Sequence, residues 1–587
     1  MDDLWVISSS PMLQQGAGAW CCLARSCWHG PGHDDKFEVE LLGPGAPASL
    51  PRSQAVFGLR ALKAGTEVAM LQALGHFQAA AVASGPQLPL MRALLGGARD
   101  GATSPAPPLD TSPGIAALAA EVTTRFQLNE EQQEVLGHVA AWFLPGGVSK
   151  PLPVCLVHGP FGSGKSTLLV ALIHFLSKAR QAQQPGSKGV PSPLRVLVSA
   201  HTNCAVDRVL CELARSGFSD LLRVGALRRI DRRLLPYSLH CVEAKGGKDA
   251  AKELTAMLAE STDPAEQSLI RQELEEARRG SDKERRKRLG SACVVGVTCC
   301  SSGLPQLDRQ KFDVLLLDEC SQMVEPLSLL PLLRSQAAYL IAAGDPLQLP
   351  PVVAAPAEVT AGGASLVRPL FVRLTGAGVR SHLLRRQYRC HPDLSALPNE
   401  LYYGGRLLDG CSREQRQPVV PGLPALSFVE VREGQEQFDQ GRSCYNEREA
   451  RVAVRVARWL LDIAGVPPGQ VGIICFFRAH AACVLRCLQQ QGVAAARPAV
   501  EGREDGGGGR RQEEAGGVLQ VATVDSFQGS EKEVIILTSA VTRPGSFVSD
   551  PCRLNVALTR ARRHVIAVGN PAALSESSPA FERLLRR

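Results

Sequence analysis

Short apolar runs recur along this chain, separated by stretches too long to be hairpin turns. Val154–Val157, Leu194–Ser199, Cys293–Thr298, Val314–Leu317 and Tyr339–Ala342 are apolar at nearly every position, the pattern of strands buried on both faces. The segments between them, such as Thr167–Leu176, repeat apolar residues at helical spacing. Alternation of this kind from Phe126 to Ile341 predicts an α/β unit built on a doubly wound parallel sheet. A second series, Val471–Phe476, Val518–Val524, Val534–Ser539 and Val565–Val568, predicts another α/β unit that begins near Ser381 and runs to the C-terminus. Between two strands of the first series, Lys245–Leu289 is dense in Glu, Lys, Arg and Ala with helical periodicity. It reads as a helical insertion projecting from the sheet, within a mixed helical and β insertion over about 208–290, its charges forming a solvated surface. Gly101–Gly114 is rich in Pro, Gly and Ser and reads as a linker, and Glu501–Gly517 as a surface loop. Ahead of the linker, short apolar strands accompany a helix near Leu71–Ala81, with no catalytic pattern. The organisation expected is an accessory region and linker over 1–120, a first domain over 121–380 and a second over 381–587.

Composition changes this picture little. A chain of 587 residues is too long for one core, and 45% hydrophobic with 21% charged residues is ordinary for a globular protein. The net charge of +8 is compatible with a nucleic-acid partner and too small to argue for one. Cysteines such as Cys155, Cys293, Cys299, Cys475 and Cys483 are scattered through apolar strands and helices, which predicts reduced thiols rather than a disulfide scaffold. Cys21, Cys22, Cys27, His29 and His33 lie close together but lack the paired spacing of common zinc modules. The start, Met1-Asp2-Asp3-Leu4-Trp5, is unlike a signal peptide, and no uncharged apolar stretch reaches membrane-spanning length. A soluble, intracellular chain with no membrane partner is expected.

Chemistry enters with Gly159-Pro160-Phe161-Gly162-Ser163-Gly164-Lys165-Ser166, between an apolar run and a helix start that continues with Thr167. That is a P-loop in strand–loop–helix context. Its glycines let backbone N–H groups turn inward, the helix N-terminus adds partial positive charge, and Lys165 adds a full one, so the loop suits a triphosphate. A nucleotide hydrolase also needs carboxylates. Val314–Leu317 ends in Asp318-Glu319, which assigns Asp318 to Mg²⁺ and Glu319 to the attacking water. The next strand ends in Gly344-Asp345-Pro346-Leu347-Gln348-Leu349-Pro350-Pro351, placing Gln348 at the ligand edge of the sheet, where it could sense a γ-phosphate. Two arginines of the second unit, Arg389 and Arg560, could neutralise charge developing on that phosphate. One unit has the cradle and no arginine finger, the other fingers and no cradle. The nucleotide is therefore expected in the cleft between them.

The ordered set Gln132, Gly159–Ser166, Thr202-Asn203, Asp318-Glu319-Cys320-Ser321-Gln322, Gly344–Pro351, Gln387–Pro392, Val524–Glu531 and Arg553–Arg562 resembles superfamily 1B helicases, in the subgroup of the nonsense-mediated-decay helicase and senataxin. Further segments, Asp2–Val6, Asp207–Gly225 and Pro236–His240, resemble the helicase part of GRF-type zinc finger helicases, which act in DNA repair. The resemblance implies two RecA-like domains, ATP and Mg²⁺ as cofactors, Ser166 and Asp318 on the metal, and Gln132 on the adenine edge. It implies that Tyr388 stacks on the ring, that Glu531 joins the nucleotide site, and that Thr202, Asn203, Thr298 and Thr523 touch the strand backbone. It further implies 5′ to 3′ movement on single-stranded DNA, action on duplex or junction DNA with RNA or hybrid as the alternative, a monomer, repair-protein partners and nuclear residence. Phe161 stands where Pro is more usual, and Cys320-Ser321 where Ala-Ala is common; neither removes a catalytic atom. No GRF-type zinc finger is visible, so a shortened form or a homologue lacking that module is expected.

Overall fold

The computed structural model describes residues 3–9, 21–26, 39–42, 56–63, 65–82, 90, 93–94, 113–144, 151–183, 193–240, 247–261, 263–279, 282–308, 310–352, 368–496 and 517–586. Cys27, His29 and His33, the linker over 101–112 and the loop over 501–516 lie outside them.

The first series of apolar runs forms an eight-stranded sheet among the described residues. Its order is Ser381–Leu383, Val154–His158, Tyr339–Gly344, Val314–Asp318, Val196–Ala200, Val294–Thr298, Leu221–Gly225 and Ser238–His240. Every neighbouring pair is parallel. The second series forms a six-stranded sheet in the order Leu426–Glu430, Ala561–Gly569, Lys532–Thr538, Val471–Cys475, Leu519–Thr523 and Ala495–Ala496, again parallel throughout. Central strands such as Val154–His158 and Val471–Cys475 are buried at every residue, which is why they read as unbroken apolar runs. Helices cover both faces, and Cys155, Cys293, Cys299, Cys475 and Cys483 are buried as free thiols. No helix among the described residues is long and apolar enough to cross a membrane.

Two expectations change in detail. Ser381–Leu383, expected to open the second unit, pairs instead with Leu156–His158 at the edge of the first sheet. Three residues at an edge leave almost no periodic signal, and the strand is held through His382, whose ring meets that of His138 at 5.1 Å. The span 208–290 is also not one projection. Leu221–Gly225 and Ser238–His240 extend the sheet, and Val294–Thr298 slots in between Leu221–Gly225 and Val196–Ala200. Gly296 permits this: a Cβ there would lie 2.4 Å from the Leu210 side chain on the covering helix Asn203–Arg215. The helices Gly247–Glu260 and Pro264–Arg279 build a small core of their own, with Leu254, Met257, Ile270 and Leu274 around Leu227 and Leu235.

The N-terminal strands form a four-stranded antiparallel sheet, and the helix Gly65–Val82 packs on Glu325–Ser335 of the first unit. Ala73, Leu90 and Leu94 share the core beneath that helix, and Arg373 Nη1 donates to the Leu94 carbonyl at 2.8 Å. The helix Gly65–Val82 and the residues Leu90 and Leu94 are therefore docked on the first α/β unit.

Candidate active site

The P-loop leaves Val154–His158 and enters the helix Lys165–Gln183. Gly162 and Gly164 sit at φ +61° and +73°, where a side chain is strained. The second lobe closes against this loop: Tyr388 N donates to the Gly162 carbonyl at 2.8 Å, and a Cβ on Gly162 would fall 2.5 Å from Arg389 Cβ. The two lobes enclose a cavity of about 240 Å³ lined by residues 159–167, Glu319 and Gln348 of one lobe and Tyr388, Arg389, Glu531 and Arg560 of the other. Cradle and arginines thus meet in one cleft.

Asp318 ends its strand fully buried, and Glu319 follows at φ +53°, a conformation rare for a residue with a side chain. Lys165 Nζ lies 3.1 Å from Glu319 Oε1 and 3.6 Å from Asp318 Oδ1. Arg208 Nη2 lies 3.0 Å from Asp318 Oδ2 and 2.9 Å from Glu319 Oε1. Gln322 Nε2 donates to Glu319 Oε2 at 2.8 Å. Burial alone would push the Glu319 carboxyl up, but the Lys165 ammonium and the Arg208 guanidinium outweigh it and hold the group well below the usual carboxylate range. Burial likewise works against the Lys165 charge, which the two carboxylates more than restore. This paired arrangement of two acids and two cations fits a site for a metal-bound triphosphate, in which Asp318 and Ser166 could ligate Mg²⁺ and Lys165 turn to phosphate. Glu319→Gln is expected to keep nucleotide affinity and lower turnover by about 10²-fold or more, the scale of a lost general base. Equilibrium nucleotide binding measured beside steady-state hydrolysis checks it, and affinity collapsing together with rate would place Glu319 in the metal or phosphate shell.

The arginines are not equivalent. Arg389 Nε donates to Glu531 Oε2 at 2.5 Å and its Nη1 to the Thr559 carbonyl at 3.0 Å, and Arg562 also pairs with Glu531. Burial would raise the Glu531 carboxyl, but Arg389 and Arg562 bring it down to about 2. Arg560 is buried with no carboxylate partner among the described residues. Its Nε donates to the Val556 carbonyl at 2.9 Å, and its Nη2 faces Thr559 Oγ1 at 3.1 Å and Gln348 Oε1 at 3.4 Å. Burial, reinforced by the neighbouring Arg389 charge, lowers its proton affinity to about 9.

Gln132 is buried against the loop without lining the cavity. Its Oε1 accepts from Asn129 N at 3.1 Å in a capping box at the helix Glu130–Ala141, and its Nε2 reaches the Ser163 and Gly164 carbonyls at 3.4 Å. Asn129 Nδ2 donates to the Tyr388 hydroxyl at 2.9 Å, so Gln132 and Tyr388 are gathered at one end of the cavity. Thr202, Thr298 and Thr523 stand at or just past the C-terminal ends of their strands, the edge where α/β sheets bind ligands. Thr202 and Thr523 cap the helices that follow, while Asn203 Oδ1 accepts from the buried Arg223. Phe161 leaves the P-loop for the second lobe's core, its ring centroid 5.8 Å from that of Tyr403. Sequence reasoning missed Arg208 and Arg416 as lining residues; Arg416 holds the Tyr388 and Arg389 carbonyls at 2.6 and 2.9 Å. Arg416 lies in none of the motif segments; Arg208 lies in Asp207–Gly225, where its signals are the resemblance of that segment and its position five residues after Asn203 on a helix that begins at the strand edge.

Two family models, each described as an AAA domain, match this chain, one over residues 127–288 and 247–356 and the other over 366–572. Apart from Ser381–Leu383, which falls in the second span and pairs in the first sheet, the two spans follow the two sheets. The chain is 35% identical to the mouse (Mus musculus) 5′-3′ DNA helicase ZGRF1 over 98% of its own length and 30% of that protein. It is 32% identical to a regulator of nonsense transcripts 1 homolog of Drosophila melanogaster over 72% of its length and 34% of that protein. It is 30% identical to the ATP-dependent helicase NAM7 of Saccharomyces cerevisiae over 77% of its length and 42% of that protein. The chain belongs to the superfamily 1 helicases. It spans about a third of the length of the curated relatives it matches. Within the superfamily 1 layout, its P-loop, acid pair and Gln348 come from the first α/β lobe, and Arg389 and Arg560 from the second.

Proposed function

We propose that the cleft is an ATPase site and that its turnover drives 5′ to 3′ movement along single-stranded DNA, unwinding duplex or junction DNA ahead. The observation that carries this reading is Arg560: a buried guanidinium with no carboxylate partner among the described residues, opposite Gln348 across the lobe boundary. A phosphate in the cradle would supply the opposite charge that this cation lacks at contact distance. With ATP and Mg²⁺ bound, Ser166 and Asp318 would hold the metal, Lys165 the β- and γ-phosphates, Gln132, Tyr388 and Glu531 the nucleoside end of the site, and Glu319 the attacking water. Because the parts are split between lobes, hydrolysis alters how tightly the lobes are held together. A strand lying across both sheets would meet Thr202, Asn203, Thr298 and Thr523, which share the C-terminal strand edges.

DNA rather than RNA is favoured because the relative matching along 98% of the chain bears the name of a 5′-3′ DNA helicase, whereas the relatives named for nonsense transcripts match over 72 to 74% of it. A place in DNA repair or recombination, in the nucleus, as a monomer recruited by repair proteins, completes the proposal. The test is unwinding by the purified chain on matched DNA, RNA and hybrid duplexes, each with a 5′ or a 3′ overhang. Unwinding from the 5′ overhang with DNA as the fastest substrate is expected. Unwinding confined to RNA or hybrid duplexes would transfer the reading to an RNA helicase, and 3′ dependence would overturn the polarity.

A further inference from the structure

Behind the cavity, the lobes are joined by a buried set of polar groups that no phosphate or metal role accounts for. Asp345 follows the strand Tyr339–Gly344 of the first lobe and is almost fully buried. Its Oδ2 accepts from Gln348 Nε2 at 2.7 Å and from the Tyr403 hydroxyl at 2.7 Å, and its Oδ1 faces His158 Nε2 at 3.0 Å. Its backbone N–H donates to Ser321 Oγ at 2.9 Å, two residues beyond Glu319. Tyr403 comes from the other lobe, at the end of the helix Pro392–Tyr402, and is fully buried. Its hydroxyl also accepts from Asn555 Nδ2 at 2.9 Å. Asn555 lies on the helix Pro551–Leu558, which leads directly to Arg560, and the same Nδ2 donates to the Leu347 carbonyl at 2.8 Å.

One phenolic oxygen therefore joins the carboxylate that holds Gln348 to the helix that presents Arg560. Buried hydrogen bonds to a charged acceptor in a low-dielectric setting are the strong and geometrically exacting ones. Burial, with the Asp345 charge beside it, holds the Tyr403 phenol well above its ordinary value, so the hydroxyl remains a donor throughout the working pH range. We propose that Tyr403 is a positioning residue: its hydroxyl, bridging Asp345 and Asn555, keeps Gln348 and Arg560 opposed across the cleft and passes the state of the nucleotide between the lobes. The inference rests on the ATPase reading and adds a residue that touches neither phosphate nor strand.

Tyr403→Phe tests it. The ring keeps its packing on Phe161, Asp345 keeps Gln348 and His158, and Asn555 keeps the Leu347 carbonyl, so the fold is retained. Strand-stimulated kcat is expected to fall by about tenfold or more, the rate factor equivalent to one hydrogen bond to a charged group, with KM for ATP within about twofold of the parent. The second readout is the affinity for a fluorescent single-stranded oligonucleotide, measured without nucleotide, with ADP and with a non-hydrolysable ATP analogue. The parent's affinity should change with nucleotide, and the variant's should stay near the nucleotide-free value. A variant with parental kcat and a parental nucleotide-linked change in strand affinity overturns the inference, as does one that no longer binds nucleotide, which would make Tyr403 a structural residue only. A parent chain that does not turn over ATP removes the ATPase reading and this inference with it; a parent that turns over, matched by its variant, removes the inference alone.

Discussion

Lys165→Ala is expected to bring ATP turnover to background, a loss of about 10³-fold or more, because the substitution deletes the one full charge on the P-loop that faces the β- and γ-phosphates. The surroundings of Lys165 determine what happens to the fold. Removing one member of a buried ion pair is usually costly because its partner is left uncompensated. Here both partners keep two other contacts: Asp318 retains Arg208 at 3.0 Å and accepts from the Glu319 backbone N–H at 2.9 Å, and Glu319 retains Arg208 at 2.9 Å and Gln322 at 2.8 Å. The variant should therefore melt close to the parent while failing to hydrolyse ATP. Steady-state hydrolysis and a thermal melt on the same preparation separate the two effects. Turnover near the parent rate would remove the P-loop assignment.

Arg560→Ala should be as damaging to rate and equally without loss of stability. The loss of turnover is expected to be about 10³-fold or more, the low end of what arginine fingers contribute. Arg560 is a buried cation whose proton affinity is lowered to about 9 by burial and by Arg389, so at neutral pH it remains charged in an environment that disfavours the charge. A basic group whose folded value lies below its unfolded value while still protonated makes the folded state less stable. Taking it away should leave the melting midpoint unchanged or raised. Arg389→Ala is the contrast. Its guanidinium is held by Glu531 and the Thr559 carbonyl, so its loss should lower the midpoint as well as the rate. Replacing Arg560 by Lys should rescue poorly, since a point charge does not reproduce the planar fork that spans Gln348, Thr559 and the Val556 carbonyl. A midpoint that falls with Arg560→Ala at undiminished turnover would make Arg560 a structural residue.

What was legible in the sequence was whatever is contiguous in it. The P-loop, Asp318-Glu319, Gln348 and the two arginines lie in short segments whose spacing is fixed by local backbone, and buried parallel strands announce themselves as unbroken apolar runs. What was not legible depends on which distant segments meet. Arg208 looks like any polar residue on an amphipathic helix until the fold brings it onto the acid pair. Asp345 and Tyr403 lie 58 residues apart, and nothing local in either segment indicates that one donates to the other. Ser381–Leu383 is too short for periodicity to assign it to a sheet, and Leu221–Gly225 reads as part of an insertion because the strand beside it, Val294–Thr298, comes after the helices rather than before. The contacts of Gln132 are likewise set by the fold: its amide meets a helix cap and two P-loop carbonyls beside the Tyr388 end of the cavity, which its own segment does not indicate.

The central claim is that a site completed across two lobes couples ATP hydrolysis to a nucleic-acid strand. The most direct measurement is ATP turnover of the intact chain with and without saturating single-stranded DNA, for the parent and for Arg560→Ala side by side. The account predicts turnover in the parent that rises by about tenfold or more on adding the strand, within the range by which positioning effects change rate, and turnover in the variant that is near background in both conditions. Parental turnover indifferent to the strand, or Arg560→Ala hydrolysing ATP at the parent rate, would contradict it.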